Sequence, residues 1–288
     1  MFDLRPVFNV IGMLVSFLGL TMLFPLLLDF SRSNGHSGAF FESFLITVLM
    51  GGMVYLATRR QKASGLSLQQ TFLLTTGVWV ALPIFGALPF VLGATDASYT
   101  DAFFEAMSGL TTTGSTVFTG LDYLPDGLLL WRSILQWIGG IGIIVVAMVF
   151  LPELRVGGMQ IFRSEGFDTS GKILPRATEI AAQIGWLYIA LTAACAFVYL
   201  ASGMRTFDAV LHSMTTIATG GFSSYDASFA RFGPMTEYAG TVFMCLAALP
   251  FVRYVQLING QPLSVFKDTQ VRMLSLIHIS EPTRRKRI

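Results

Sequence analysis

Thr111, Thr112, Thr113, Gly114 and Ser115 recur 107 positions later as Ala218, Thr219, Gly220, Gly221 and Phe222, in the segments SGLTTTGST and TTIATGGFS. The chemistry open to such residues is oxygen coordination without fixed charge. Glycine enters left-handed backbone conformations at little steric cost, so Gly114, Gly220 and Gly221 suit a turn that aims carbonyls at one axis, and the threonines add hydroxyl oxygens. A ring of carbonyls of this kind replaces the water around a bare potassium ion. Either segment by itself also fits an ordinary Thr/Gly turn; what raises both above that is their duplication in matching contexts. Asp101 and Asp208, Ala102 and Ala209, and Met107 and Met214 share the same offset, which reaches back to Trp79 and Trp186.

The elements that must position these segments are membrane helices. With 53% hydrophobic and 12% charged residues, the chain has more apolar surface than one soluble core can hide. Apolar runs near 7–28, 39–57, 69–93, 128–151, 179–202 and 236–258 approach the roughly 20 residues needed to cross hydrocarbon and predict six spans. Before each Thr/Gly segment lies an apolar half-helix too short to cross, Asp101 to Leu110 and Asp208 to Ile217. Helix, half-helix, polar hairpin, helix is how a membrane protein exposes carbonyls to an ion without exposing them to lipid. The first span reads as an uncleaved helix because its apolar stretch exceeds a signal core and only Arg5 precedes it.

Local signals place the boundaries. Ser67 with Gln70 forms a capping box, Pro152 is expected to stop the fourth span, Pro175 to lie ahead of the fifth, and Pro83 and Pro89 to bend the third. Gly139, Gly140 and Gly142 predict close approach of another helix. Asp101 and Asp208 are expected to cap the half-helices, and the lone His212 to be packed and hydrogen-bonded rather than a metal ligand. Cys195 and Cys245 fall inside spans as buried thiols, and no catalytic motif is present, so the chain is not expected to be an enzyme.

Basic residues stay cytoplasmic. Arg59, Arg60 and Lys62 after the second span, and Arg155, Arg163, Lys172 and Arg176 after the fourth, put the N-terminus inside and both hairpins outside. The outer side then collects Asp29, Glu42, Asp96, Asp101, Glu105, Asp122, Asp126, Asp208, Asp226 and Glu237 against Arg32, Arg132, Arg205 and Arg231. That excess either attracts arriving cations or reflects topology and helix capping.

FFEAMSGLTTTGSTV, WRSILQWIGGIGIIVVAMVFLP, GGMQIFRSEG and FDAVLHSMTTIATGGFSSYDAS, in this order, resemble segments of the TrkH family, the membrane subunit of bacterial Trk potassium uptake systems within the Trk/Ktr/HKT superfamily. The likeness covers about residues 1–273. It implies an all-α integral membrane protein of the bacterial inner membrane: a two-helix N-terminal domain (1–60), pore repeat 1 (67–152), a cytoplasmic connection (153–173), pore repeat 2 (174–260) and the start of a third repeat (261–273), two of an expected four repeats. Residues 274–288 resemble a non-native, adapter-derived tail, and the two repeats alone are expected not to conduct. By the same resemblance the potassium filter comprises Thr111–Ser115 and Ala218–Phe222, with Gly114 and Gly221 in the position linked to potassium preference. The implied partners are the bilayer, a cytosolic nucleotide-binding TrkA ring and a second TrkH subunit; no nucleic acid and no cofactor beyond the transported ion are implied. A sodium-permeable or potassium/sodium-coupled relative, and a non-conducting scaffold or sensor, remain the alternatives.

Overall fold

The computed structural model describes residues 3–33, 35–59, 66–154 and 173–258, and all regular structure among them is helical. The expected third-repeat start, the adapter-like tail and most of the cytoplasmic connection lie outside the described residues.

Helices α1 (Arg5–Thr21) and α2 (Leu23–Arg32) form the first apolar segment, broken at Met22, and α3 (Ser37–Thr58) packs along them. The α1–α3 crossing is main chain on main chain: a Cβ on Gly12 would lie 2.7 Å from the Tyr55 nitrogen, and one on Gly51 2.7 Å from the Ser16 nitrogen. Small residues permit this approach where lipid offers no hydrophobic gain for association. α4 (Leu68–Gly86) starts on the predicted capping box, with Ser67 Oγ accepting from the Gln70 amide at 3.3 Å and Gln70 Oε1 from the Ser67 amide at 2.8 Å. The prolines break this span at Ala87, and α5 (Leu88–Leu92) carries Pro89 in its first turn, where a missing N–H costs least. The break diverts the Phe90 amide to the Ala87 carbonyl, and the released Gly86 carbonyl takes the buried Trp131 indole N–H at 2.9 Å.

α6 (Tyr99–Leu110) is the first half-helix; α7 (Asp126–Leu154) and α8 (Ile173–Ala201) are long, α9 (Thr206–Ile217) is the second half-helix, and α10 (Pro234–Ala247) and α11 (Phe251–Ile258) follow. Arg5–Arg32, Ser37–Thr58, Gln69–Leu92 and Ala181–Ala201 are long and apolar enough to cross a membrane, and α7 at 29 residues has the length. α7 begins on the buried Asp29, whose Oδ1 accepts the Gly127 amide at 2.9 Å.

Three boundaries differ from expectation. The segment 236–258 is not one continuous helix. Pro250 cannot donate to the Leu246 carbonyl, which instead takes the Leu249 amide at 3.3 Å and the Tyr254 hydroxyl at 2.7 Å, and the chain continues as the separate α11. Pro152 lies within the last turn of α7 rather than beyond it, and Pro175 falls in the first turn of α8, where no intrahelical donor is needed.

Two buried clusters flank α7. Leu18, Phe40, Phe90, Trp131 and Leu135 tie it to the N-terminal helices, whereas Ile184, Tyr188, Tyr199, Ile217 and Phe251 hold α8, α9 and α11 together. The Tyr188 hydroxyl reaches the Trp137 carbonyl at 3.1 Å, joining the halves. Phe17, Phe24, Trp186 and Phe197 stay exposed, as a lipid-facing surface requires. Trp79 packs into the first cluster while Trp186 faces outward, so the 107-residue register does not extend to a shared role for these tryptophans.

Candidate functional site

The site grows from the two half-helices, which have the same length and lie at the same offset as the sequence repeat, Tyr99–Leu110 and Thr206–Ile217. Neither expected aspartate is the cap. At α6 the cap is Ser98, whose Oγ accepts the Asp101 amide at 3.2 Å and donates to Asp101 Oδ2 at 2.7 Å. At α9 no side chain caps the helix; Asp208 is buried and accepts Arg205 Nε at 2.9 Å, the Tyr225 hydroxyl at 3.2 Å and Ser224 Oγ at 3.3 Å. In this cluster the hydrogen bond to Asp208 holds the Arg205 guanidinium above its ordinary pKa, and burial followed by the Asp208 charge pushes the Tyr225 phenol up.

At their C-terminal ends both half-helices close in the same way. The Thr112 amide returns to Gly109 O at 2.9 Å and the Thr113 amide to Ser108 O at 3.0 Å; the Thr219 amide returns to Thr216 O and the Gly220 amide to Thr215 O, each at 3.0 Å. This is a Schellman closure with a left-handed residue after the cap. That residue is threonine both times, Thr112 at φ 56° and Thr219 at φ 57°, a position usually given to glycine. A side chain there costs about 1–2 kcal/mol, which the surroundings must hold in place. Two residues on, Gly114 and Gly221 adopt φ 77° and 76°. Gly220, expected to share this conformation, does not have positive φ. It is required for space, since a Cβ there would lie 2.5 Å from the Gln136 carboxamide.

The hairpins meet. A Cβ on Gly114 would fall 1.8 Å from the Gly220 carbonyl oxygen. α7 is wedged against both: a Cβ on Gly139 would strike the Leu110 carbonyl at 2.0 Å, and one on Gly140 would lie 3.1 Å from Ala218 Cα. Two of the glycines expected to admit another helix do so: Gly139 admits the end of α6, and Gly140 admits the end of α9 together with the Tyr188 hydroxyl of α8, which an added Cβ would meet at 2.5 Å. Gly142 has nothing within contact distance of an added Cβ. Gln136 accepts the Phe222 amide at 3.1 Å.

Behind the hairpins lies a buried ion pair. Arg132 Nε donates to Glu105 Oε1 at 2.8 Å, Nη2 to Thr116 Oγ1 at 3.1 Å and Nη1 to the Ser223 carbonyl at 2.7 Å, and its guanidinium covers the Phe222 ring at 4.2 Å. Glu105 also takes the Thr116 hydroxyl at 2.8 Å and the Val117 amide at 3.1 Å. In the second unit the counterpart of Glu105 is His212 and that of Thr116 is Ser223. They too are bonded, Nε2 to Oγ at 3.0 Å, with Nδ1 2.8 Å from the Asp208 carbonyl. His212 is thus the packed, hydrogen-bonded residue its isolation predicts. Asp29, Glu105, Asp208 and Arg132 are buried parts of the scaffold, which removes them from any exposed field acting on arriving cations.

The remaining candidate residues surround this contact. Thr111 Oγ1 bonds to the Met107 carbonyl and to Thr113 Oγ1, both at 2.8 Å, and the Ser115 carbonyl accepts Ser108 Oγ at 2.5 Å. Ala218 is buried against α7, and the Phe222 side chain points into the scaffold under Arg132. Among the described residues no group of three His, Cys, Asp or Glu could hold a metal ion. The oxygens that Thr111–Ser115 and Ala218–Phe222 carry belong to main chain and hydroxyls. Sequence reasoning named Thr112 and Thr219 but not their left-handed backbone, and it missed Arg132 and Gln136 as parts of the site; for these two the available signal was a pair of polar side chains one turn apart in an apolar span, the usual mark of function in a membrane helix.

The family model for TrkH, described as cation transport protein, matches residues 36–285. The chain belongs to the TrkH family. This family is one of cation transport proteins, not of enzymes. The TrkH-family chain is 41% identical over 274 residues to the Trk system potassium uptake protein TrkI of Halomonas elongata, covering 94% of this chain and 56% of that protein. It is 39% identical to the Trk system potassium uptake protein TrkH of Escherichia coli K12, covering 93% and 56%. The crystal structure of the potassium transporter TrkH from Vibrio parahaemolyticus superposes with a TM-score of 0.85 at 35% identity, over 97% of this chain and 57% of that one. The chain spans a little over half the length of these relatives.

Proposed function

We infer that this chain contributes two filter hairpins to a potassium uptake pathway of the Trk type in the bacterial inner membrane, with its N-terminus cytoplasmic and the hairpins open to the outside. The observation that carries the reading is the abutment of two identically closed hairpins at Gly114 and Gly220, each on the C-terminal end of a half-helix. A helix C-terminus carries partial negative charge, which favours a cation there. Thr111–Ser115 and Ala218–Phe222 supply main-chain and hydroxyl oxygens, and Gly114 and Gly221 hold the turns that aim them. The names of the relatives, all potassium uptake proteins, favour potassium as the ion.

Two hairpins make one side of a filter, and encircling an ion takes more of them. The arrangement we favour is the fourfold one: two leading helices, then repeats of helix, half-helix, hairpin and helix around one axis, served by a cytosolic TrkA ring and a second TrkH subunit. The test is uptake by the natural gene product in bacteria stripped of their own potassium systems. Growth at low potassium with rubidium uptake that sodium does not match is the expected result. Equal sodium uptake would turn the reading toward a sodium-permeable relative, and no uptake of either ion would turn it toward a scaffold.

A further inference from the structure

Two polar side chains on α7, one helical turn apart, hold the second hairpin rather than only the first. Arg132 reaches the Ser223 carbonyl and covers Phe222, and Gln136 accepts the Phe222 amide. The same guanidinium binds Glu105 and Thr116 of the first unit. A planar fork of five donors serves three acceptors at set angles, which a lysine ammonium on a flexible stem does not. The counterparts of Arg132 and Gln136 on α10 are Ala239 and Phe243, which have no side-chain hydrogen-bonding group. The device is therefore one-sided. Gln136 adds a second sign of constraint: its Nε2 is buried without a hydrogen-bond partner, beside Gly220. A buried donor left unpaired is unfavourable and calls for an explanation. Holding the Phe222 amide in place supplies one.

We propose that Arg132 is a positioning residue for cation discrimination: by tying Ser223 and Phe222 to Glu105 and Thr116, it sets the separation of the oxygens that face one another across the two hairpins. Discrimination among alkali cations depends on the size and field of the oxygen cage, so a shift of one hairpin against the other alters the preference more than the bare ability to pass ions. This inference rests on the ion-filter reading above.

The test is uptake of rubidium and of sodium by the natural gene product and its Arg132→Lys variant, each normalised to folded protein in the membrane. Lysine keeps the buried charge beside Glu105 but gives up the fork. The expected result is measurable rubidium uptake with the rubidium-to-sodium ratio lowered about tenfold, the scale of one lost charge-assisted hydrogen bond. If Arg132→Lys does not accumulate, the double variant Arg132→Gln with Glu105→Gln, which removes both buried charges, is expected to show the same loss. A ratio unchanged in folded variant protein, or a fall in uptake that only follows the loss of protein, overturns the inference. Wild-type protein that fails to discriminate overturns the filter reading as well, and it does so before any substitution is made.

Discussion

Gly114 and Gly220 touch main chain to main chain, so that a Cβ on Gly114 would lie 1.8 Å from the Gly220 carbonyl oxygen. This contact, not the glycine count of either hairpin, makes the two segments one site. It also separates glycines that the sequence repeat treats as equivalent. Gly114 and Gly221 share their backbone angle, but a Cβ on Gly221 would meet only Met244 Cε at 3.7 Å, an ordinary contact.

The substitutions Gly114→Ala and Gly221→Ala are therefore expected to differ. Both incur the left-handed penalty of about 1–2 kcal/mol, but only Gly114→Ala must also displace the facing hairpin. Thermal unfolding in detergent and rubidium uptake should both show Gly114→Ala as the more damaging change. Equal effects would mean that the contact is not maintained.

Glu105 and Arg132 are both essentially inaccessible to solvent. Removing one partner leaves a buried charge uncompensated, at about 3–5 kcal/mol, whereas removing both avoids that penalty. Glu105→Gln or Arg132→Gln alone should lower the unfolding midpoint more than the double change does. A double-mutant cycle that adds up without coupling would contradict the pairing.

Trp131→Phe keeps the aromatic packing but removes the donor to the Gly86 carbonyl, which the break at Ala87 leaves without its helical partner. A loss of about 1–3 kcal/mol is expected for the buried acceptor. The same substitution at Trp186, which is exposed, should change stability by less than about 0.5 kcal/mol. Comparing the two unfolding midpoints checks this.

Tyr254→Phe is expected to loosen the joint between α10 and α11, because its hydroxyl holds the Leu246 carbonyl that Pro250 cannot serve. A loss of about 0.5–1.5 kcal/mol follows for one hydrogen bond. Faster amide exchange near Ala248 and Leu249 would report it.

The half-helices and their hairpins were legible because a repeat and a length are properties of the sequence itself: Asp101 to Leu110 and Asp208 to Ile217 needed extending by only two residues at their N-terminal ends. The capping box at Ser67 was legible for the same reason, being local. What escaped were features set by partners distant in the chain. Nothing around Arg132 shows that its acceptors are Glu105, Thr116 and Ser223, so an outward-facing charge and a buried one look alike in sequence. Thr112 and Thr219 hide their left-handed angle because threonine is a poor choice for it and only the closing hydrogen bonds enforce it. The break at Pro250 was hidden by unbroken apolarity on either side, since hydropathy does not register a missing amide.

The central claim is that main-chain oxygens of both hairpins share one cation. Crystals of the natural gene product soaked in rubidium, with data collected at the rubidium absorption edge, test it most directly. Anomalous density between the hairpins, at bonding distance from main-chain oxygens beside both Gly114 and Gly221, is the predicted result. Rubidium bound elsewhere, with the space between those glycines empty, would contradict the account.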